Sequence, residues 1–259
     1  EMGQWAKGLE MIERSMAQFP RNAHGAHILA HCLYEGGEDE RAANYLEEWL
    51  PDYDSDGLLH CHAWWHLCLL RVMQGRLDEV WPMYDAHCVP AKSTSPSINI
   101  LTDGCSLTWR AELAGAPRQT ERWAMLRDYY TQTFPKPMVF VDAHGALPFA
   151  ALGDSAGVDK FVGQIEELGA KGRLPAGTIG APLARAFEAY ARQEWSKTID
   201  TLTPIMDEVV RVGGSRAQRD LVTNTLLAAY VKDGRLDEAR ALADANHHRQ
   251  PSRPVAGLN

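Results

Sequence analysis

Apolar residues recur along this chain at spacings of three and four, and they do so in short bursts separated by glycine. That is the period of an amphipathic α-helix, and no strand-like alternation competes over comparable length. The punctuating glycines are Gly37, Gly75, Gly115, Gly153 and Gly234, spaced by 38, 40, 38 and 81 residues. The last interval holds one further unit whose turn falls at Gln193-Glu194. The hexapeptide at the turn repeats as Gly75-Arg76-Leu77-Asp78-Glu79-Val80 and Gly234-Arg235-Leu236-Asp237-Glu238-Ala239. Glycine closes one helix through a left-handed cap, and the acidic pair opens the next against the positive end of its dipole.

Each unit therefore reads as a helix before the glycine and a helix after it. The pattern predicts first helices near 23–36, 59–74, 98–114, 138–152, 181–192 and 216–232, and second helices near 38–49, 76–88, 118–132, 155–170, 195–209 and 235–247. Residues 1–20 read as the second helix of a preceding repeat. The predicted architecture is all-α, a solenoid of about six tetratricopeptide-like helix-turn-helix repeats in one domain over 1–248, with a flexible C-terminal tail over 249–259.

Counting back from each glycine separates two stripes on the first helices. Eight positions before it stand Leu29, Leu67, Leu107 and Leu226, with Gly145 the exception, and this row is the packing face. Polar residues occupy a stripe about 100° away. Thirteen before the glycine stand His24, His62 and Thr102; nine before it stand His66, Ser106 and His144. In repeats of this kind the first helices line a concave surface, so this stripe faces a shared groove.

Within the stripe, His27/His31 and His62/His66 are both i,i+4 pairs. Ten histidines in 259 residues give about 0.35 such pairs by chance. Two imidazoles on one helical face suit a metal ion, and His62, His66 and His144 are the candidate ligands, with Cys105 or Asp103 able to complete a set. Groove histidines that hydrogen-bond to neighbouring repeats fit the same spacing. The His-Glu-x-x-His protease pattern is absent, since Ile28 and Ala63 follow the first histidine of each pair. No cofactor is required by the sequence, and a divalent metal such as zinc is compatible with it.

Other positions carry candidate chemistry. Cys105 is a candidate nucleophile if a neighbouring histidine activates it, or else a small buried residue in a tight helix contact. Asp142 and His144, two apart, do not share a face and reach different neighbours; Pro148 follows His144 by four and either opens a kink beside it or simply bends the helix. Trp65 is placed in the groove, and Trp64 toward the core. Ser215 and Gln218 have the spacing of a capping box at the start of the last first helix, where Arg219 and Asp220 offer either an anion site or an inter-repeat ion pair. Candidate catalytic residues are thus His66, Cys105, His144 and Asp142. Candidate ligand-binding residues are His27, His31, His62, Trp65 and Asp103, joined by Gln218, Arg219 and Asp220.

The segments Ala26-His27 to His31, Cys61-His62-Ala63-Trp64-Trp65-His66, Asp103-Gly104-Cys105-Ser106, Asp142-Ala143-His144 and Gly213-Gly214-Ser215 through Asp220 resemble the tetratricopeptide repeat protein 38 family. The resemblance runs from about residue 22 to 232 and departs at His24, where that family carries an aromatic residue. It implies the repeat fold and further repeats ahead of this segment, and it brings no reaction with it.

Bulk properties narrow the partners. Lys+Arg 26 against Asp+Glu 34 gives a net charge of -8, without a basic run, which argues against nucleic acid and anionic membrane. No apolar run reaches the roughly 18–20 residues that span a bilayer. Five cysteines, none in a Cys-x-x-Cys pair, read as reduced thiols of a cytoplasmic protein. The expected partner is a small molecule or a peptide in the concave groove. One function that fits is a His/Cys/Asp/Trp-lined small-molecule site, with acid-base or metal-assisted hydrolysis if it is an enzyme. The other is a protein-protein interaction scaffold that binds a peptide segment.

Overall fold

The computed structural model describes residues 3–135, 138–174, 177–246 and 255–258. Among these the chain is all-helical and contains no strand. The first helices are α2 (Ala23–Glu35), α4 (His60–Met73), α6 (Ser97–Leu113), α8 (Val139–Ala151), α10 (Gly180–Ala191) and α12 (Arg216–Lys232). The alternate helices are α1 (Trp5–Gln18), α3 (Asp39–Trp49), α5 (Leu77–His87), α7 (Thr120–Thr133), α9 (Ser155–Ala170), α11 (Trp195–Leu202) and α13 (Leu236–Asn246). Each first helix packs against the second helix of its own pair, and α4, α6, α8 and α10 also lie side by side in sequence order.

The turn chemistry is the one the sequence predicts. Gly37, Gly75, Gly115, Gly153 and Gly234 all have positive φ, between 69° and 107°, at the ends of first helices. In the unit that lacks the glycine, Gln193 takes the same role at φ 62°, the one non-glycine residue with positive φ among those described. Leu29, Leu67, Leu107 and Leu226 are all buried, so the leucine row is core. Gly145 breaks the row because the Tyr130 ring of α7 already fills the place a side chain would take.

Two local differences from the sequence reading have simple causes. The helix expected over 195–209 stops at Leu202 and continues as 3-10 turns over Thr203–Val212. Pro204 has no amide to donate to the Asp200 carbonyl, and its ring crowds that carbonyl, so the α ladder ends there. The tail expected from residue 249 lies largely outside the described residues. Where it is described again it is packed: Val255 is buried, and the Ala256 amide donates to the Leu113 carbonyl at 2.9 Å.

The helical array closes on itself. Helix α12 packs against α10 and also against α6, across the interior of the array. The Tyr34 hydroxyl of α2 donates to Asp220 of α12 at 2.5 Å. The buried Arg110 guanidinium of α6 donates to the Ala217 carbonyl at 2.8 Å and lies 3.5 Å from the Tyr34 oxygen. Arg216 pairs with Glu35 at 3.2 Å, and the Trp109 indole donates to Thr225 at 2.9 Å. These links join residues 76 to 186 positions apart and bring the first helix pair to the last. Among the described residues no helix is long and apolar enough to cross a membrane.

Candidate metal centre

Helical spacing places His27 above His31 on α2, and His62 above His66 on α4, so each helix offers two imidazoles on one face. The two faces meet. One ring nitrogen from each of His27, His31, His62 and His66 lies within 4.8 Å of the others. His27 Nε2 and His31 Nε2 are hydrogen-bonded at 2.9 Å. A tetrahedral site with metal–nitrogen bonds of about 2.0–2.1 Å has nitrogen–nitrogen edges of about 3.3 Å. That edge lies between the 2.9 Å pair and the 4.8 Å limit, so no nitrogen pair exceeds it by more than about 1.5 Å.

The surroundings of His62 favour metal ligation. His62 Nδ1 donates to Asp103 Oδ2 of α6 at 2.8 Å, and both residues are buried. With Nδ1 engaged in this way, Nε2 is the nitrogen left for an ion. A carboxylate behind a ligating histidine fixes its tautomer and raises its basicity. Trp65 stacks on the His62 ring at 5.1 Å and 13°, holding its plane, and meets His66 edge-on at 4.7 Å.

Burial holds His27 and His66 in the neutral form, the one that binds metal. Burial, then the nearby His62 and His31, pushes His27 down to about 3. His66 is 2% exposed, and burial followed by the charges of His31 and His62 lowers it well below its ordinary value. Its Nε2 has no hydrogen-bond partner among the described residues. His27 and His31 are only partly buried, so the cluster is deepest at α4 and shallowest at α2.

The structure sorts the sequence candidates. His62 and His66 come together as expected, but their companions are His27 and His31; His144, Cys105 and Asp103 are not among the clustered nitrogens. Rings on α2 reach those on α4, with His27 4.8 Å from His62 and His31 4.5 Å from His66 between centroids, whereas α6 stands between α4 and α8 and holds His144 away. Asp103 serves behind His62 instead. Cys105 is buried in the apolar core with Trp109, Leu126 and Leu147, and burial raises its thiol well above the ordinary value. A nucleophile needs the opposite shift, so this environment gives Cys105 a packing role.

Asp142 accepts from the Tyr130 hydroxyl at 3.2 Å, and burial raises its carboxyl to about 7. The Nδ1 of His144 donates to the Phe140 carbonyl at 2.8 Å. Gln218 forms the expected capping box with Ser215, their two bonds measuring 2.8 and 3.4 Å. Arg219 donates to the Gly214 carbonyl, and Asp220 accepts from Tyr34. The α12 residues thus close the array and cap their own helix. Trp64 stacks on His87 at 3.8 Å, away from the cluster.

Tyr34 and Arg110 escaped the sequence reading. Arg110 sits in an apolar stretch of α6 with nothing local to mark it as buried, and Tyr34 resembles any other helix-end aromatic. The sequence offered no signal for either. An open depression of about 460 Å³ between α5 and the start of α7 includes no histidine, and its Arg122 is paired with Asp85 at 2.6 Å. No family model matches the chain, and no solved structure matches it.

Proposed function

We propose that this chain is a tetratricopeptide-like helical repeat protein of the tetratricopeptide repeat protein 38 family, built from about six helix pairs. In this reading it holds one divalent transition-metal ion on His27, His31, His62 and His66. The ion serves metal-assisted hydrolysis of a small molecule. The observation that carries the proposal is the convergence of four imidazole nitrogens within 4.8 Å, one of them backed by a buried carboxylate. Two helices from successive repeats supply two ligands each, so the site exists only in the folded array.

Four imidazoles are a donor set for zinc, copper, iron or nickel. An imidazole ligates a metal as the neutral ring, so such a set leaves the full charge of the ion available. Hydrolysis would need a position open to water, which the ion would gain by expanding to five ligands or by releasing one of the partly buried histidines, His27 or His31, and there it would lower the pKa of a bound water. The peptide-scaffold reading is weaker, because α12 crosses the interior and its bonds to Tyr34 and Arg110 fill the groove that a peptide would need.

Elemental analysis of protein purified without a histidine tag tests the proposal. Wild type is expected to carry about one equivalent of metal per chain, and His62→Ala/His66→Ala close to none. Absence of metal from wild-type protein, even after incubation with zinc, cobalt or nickel, would refute it.

A further inference from the structure

A row of buried polar atoms runs from the histidine cluster toward α8. His66, Ser106 and His144 each stand nine residues before their turn glycine, so they occupy equivalent positions on α4, α6 and α8. Those three helices are packed side by side. Neighbouring packed helices lie about 8–10 Å apart, and a serine side chain is far shorter than the imidazoles on either side of it. That spacing predicts a recess over Ser106, between His66 and His144 and bordered by Asp103, one turn earlier on the same face of α6.

The atoms around this recess are unpaired within the protein. Asp103 Oδ1, Ser106 Oγ and His144 Nε2 have no hydrogen-bond partner among the described residues, and each residue is at least 97% buried. Buried polar groups ordinarily find partners, so three orphans around one position point to a ligand that supplies them. Their chemistry is one-sided. Asp103 Oδ1 accepts. His144 donates from Nδ1 to the Phe140 carbonyl at 2.8 Å, which leaves Nε2 as an acceptor in the neutral ring. Burial lowers His144, and the Asp103 charge opposes that shift.

We propose that this recess is a subsite beside the metal for a ligand group that donates hydrogen bonds, a hydroxyl or a neutral amine, and that it discriminates against anions. The inference rests on the metal site argued above and names the substrate class that site takes. A carboxylate or phosphate placed there would face the Asp103 oxygen and the lone pair of His144. A neutral amine would donate one N–H to each, and a hydroxyl would donate to one of them, with Ser106 adapting as donor or acceptor.

The test uses the full chain loaded with cobalt(II), whose visible spectrum reports exogenous ligands. Hydroxylamine, a small neutral donor near neutral pH, and azide, an anion without a donor, are titrated into wild type and His144→Leu. Loss of one hydrogen bond to a buried acceptor is expected to lower the hydroxylamine-to-azide affinity ratio about tenfold in the variant, with cobalt stoichiometry unchanged. An unchanged or higher ratio would overturn the proposal. His144→Phe, which keeps a flat ring of similar size without the acceptor, gives the same readout should His144→Leu fail to fold. Wild type that takes up no cobalt would refute the metal site itself. Uptake without a change in the ratio would refute the subsite alone.

Discussion

Lowering the pH is expected to destabilise the metal-free protein through the histidine cluster. His27 is held at about 3 by burial and by His62 and His31, against an ordinary value of 6.5. The unfolded chain therefore binds a proton at this residue that the folded protein refuses. Its contribution to stability is complete above about pH 6.5 and is lost as the pH falls toward the folded value. Between about pH 7 and pH 5 this one residue is expected to remove about 2 kcal/mol. His66, lowered for the same reasons, adds in the same direction. Against a total of about 5–15 kcal/mol for a typical protein, the loss is large. Urea unfolding of chelator-treated protein at the two pH values measures it. His27→Gln does not titrate, so its loss over the same interval is expected to be smaller than that of wild type by about 2 kcal/mol. Equal losses in the two proteins would show that His27 is not kept neutral by its surroundings.

Other substitutions probe separate parts of the account. Asp103→Asn keeps the shape and the acceptor oxygen opposite His62 but removes the charge; metal affinity, read by competition with a chromophoric chelator, is expected to fall about 10–100-fold with little change in helical content. Tyr34→Phe leaves Asp220 without its 2.5 Å donor and is expected to cost about 1.5–3 kcal/mol in urea unfolding. A value near zero would mean that this contact does not hold the array closed. Gly145→Ala forces a methyl against the Tyr130 ring and is expected to cost about 1–3 kcal/mol, whereas Gly163→Ala on the open face of α9 is expected to be neutral or stabilising.

The helices were legible because their signal is local. Turn glycines, acidic first turns and the leucine row place every first helix within two residues of its observed ends, and the capping box at Ser215 is read correctly from its two residues. The one misjudged helix, 195–209, fails at Pro204, whose effect is equally local but was outweighed by the apolar period around it. The site was legible only in part. Counting back from the glycines gives each side chain its angle around a helix, which is why all four clustered histidines were singled out. It does not give the pitch between helices, which decides that His66 meets His27 and His31 and not His144. Asp220 was expected to meet another repeat, but the partners that close the array were not legible, for a related reason. Closure depends on Tyr34, Arg110 and Asp220, separated by 76 to 186 residues, and no periodic pattern links them.

The central claim is that four histidines from α2 and α4 share one ion. X-ray absorption at the metal edge of the loaded, untagged protein addresses this directly. The account predicts imidazole outer-shell scattering and nitrogen neighbours at about 2.0–2.1 Å from four histidines, reduced in number by His27→Ala and unaffected by Cys105→Ala. A sulfur neighbour at about 2.3 Å, or a spectrum that His27→Ala leaves unchanged, would contradict it.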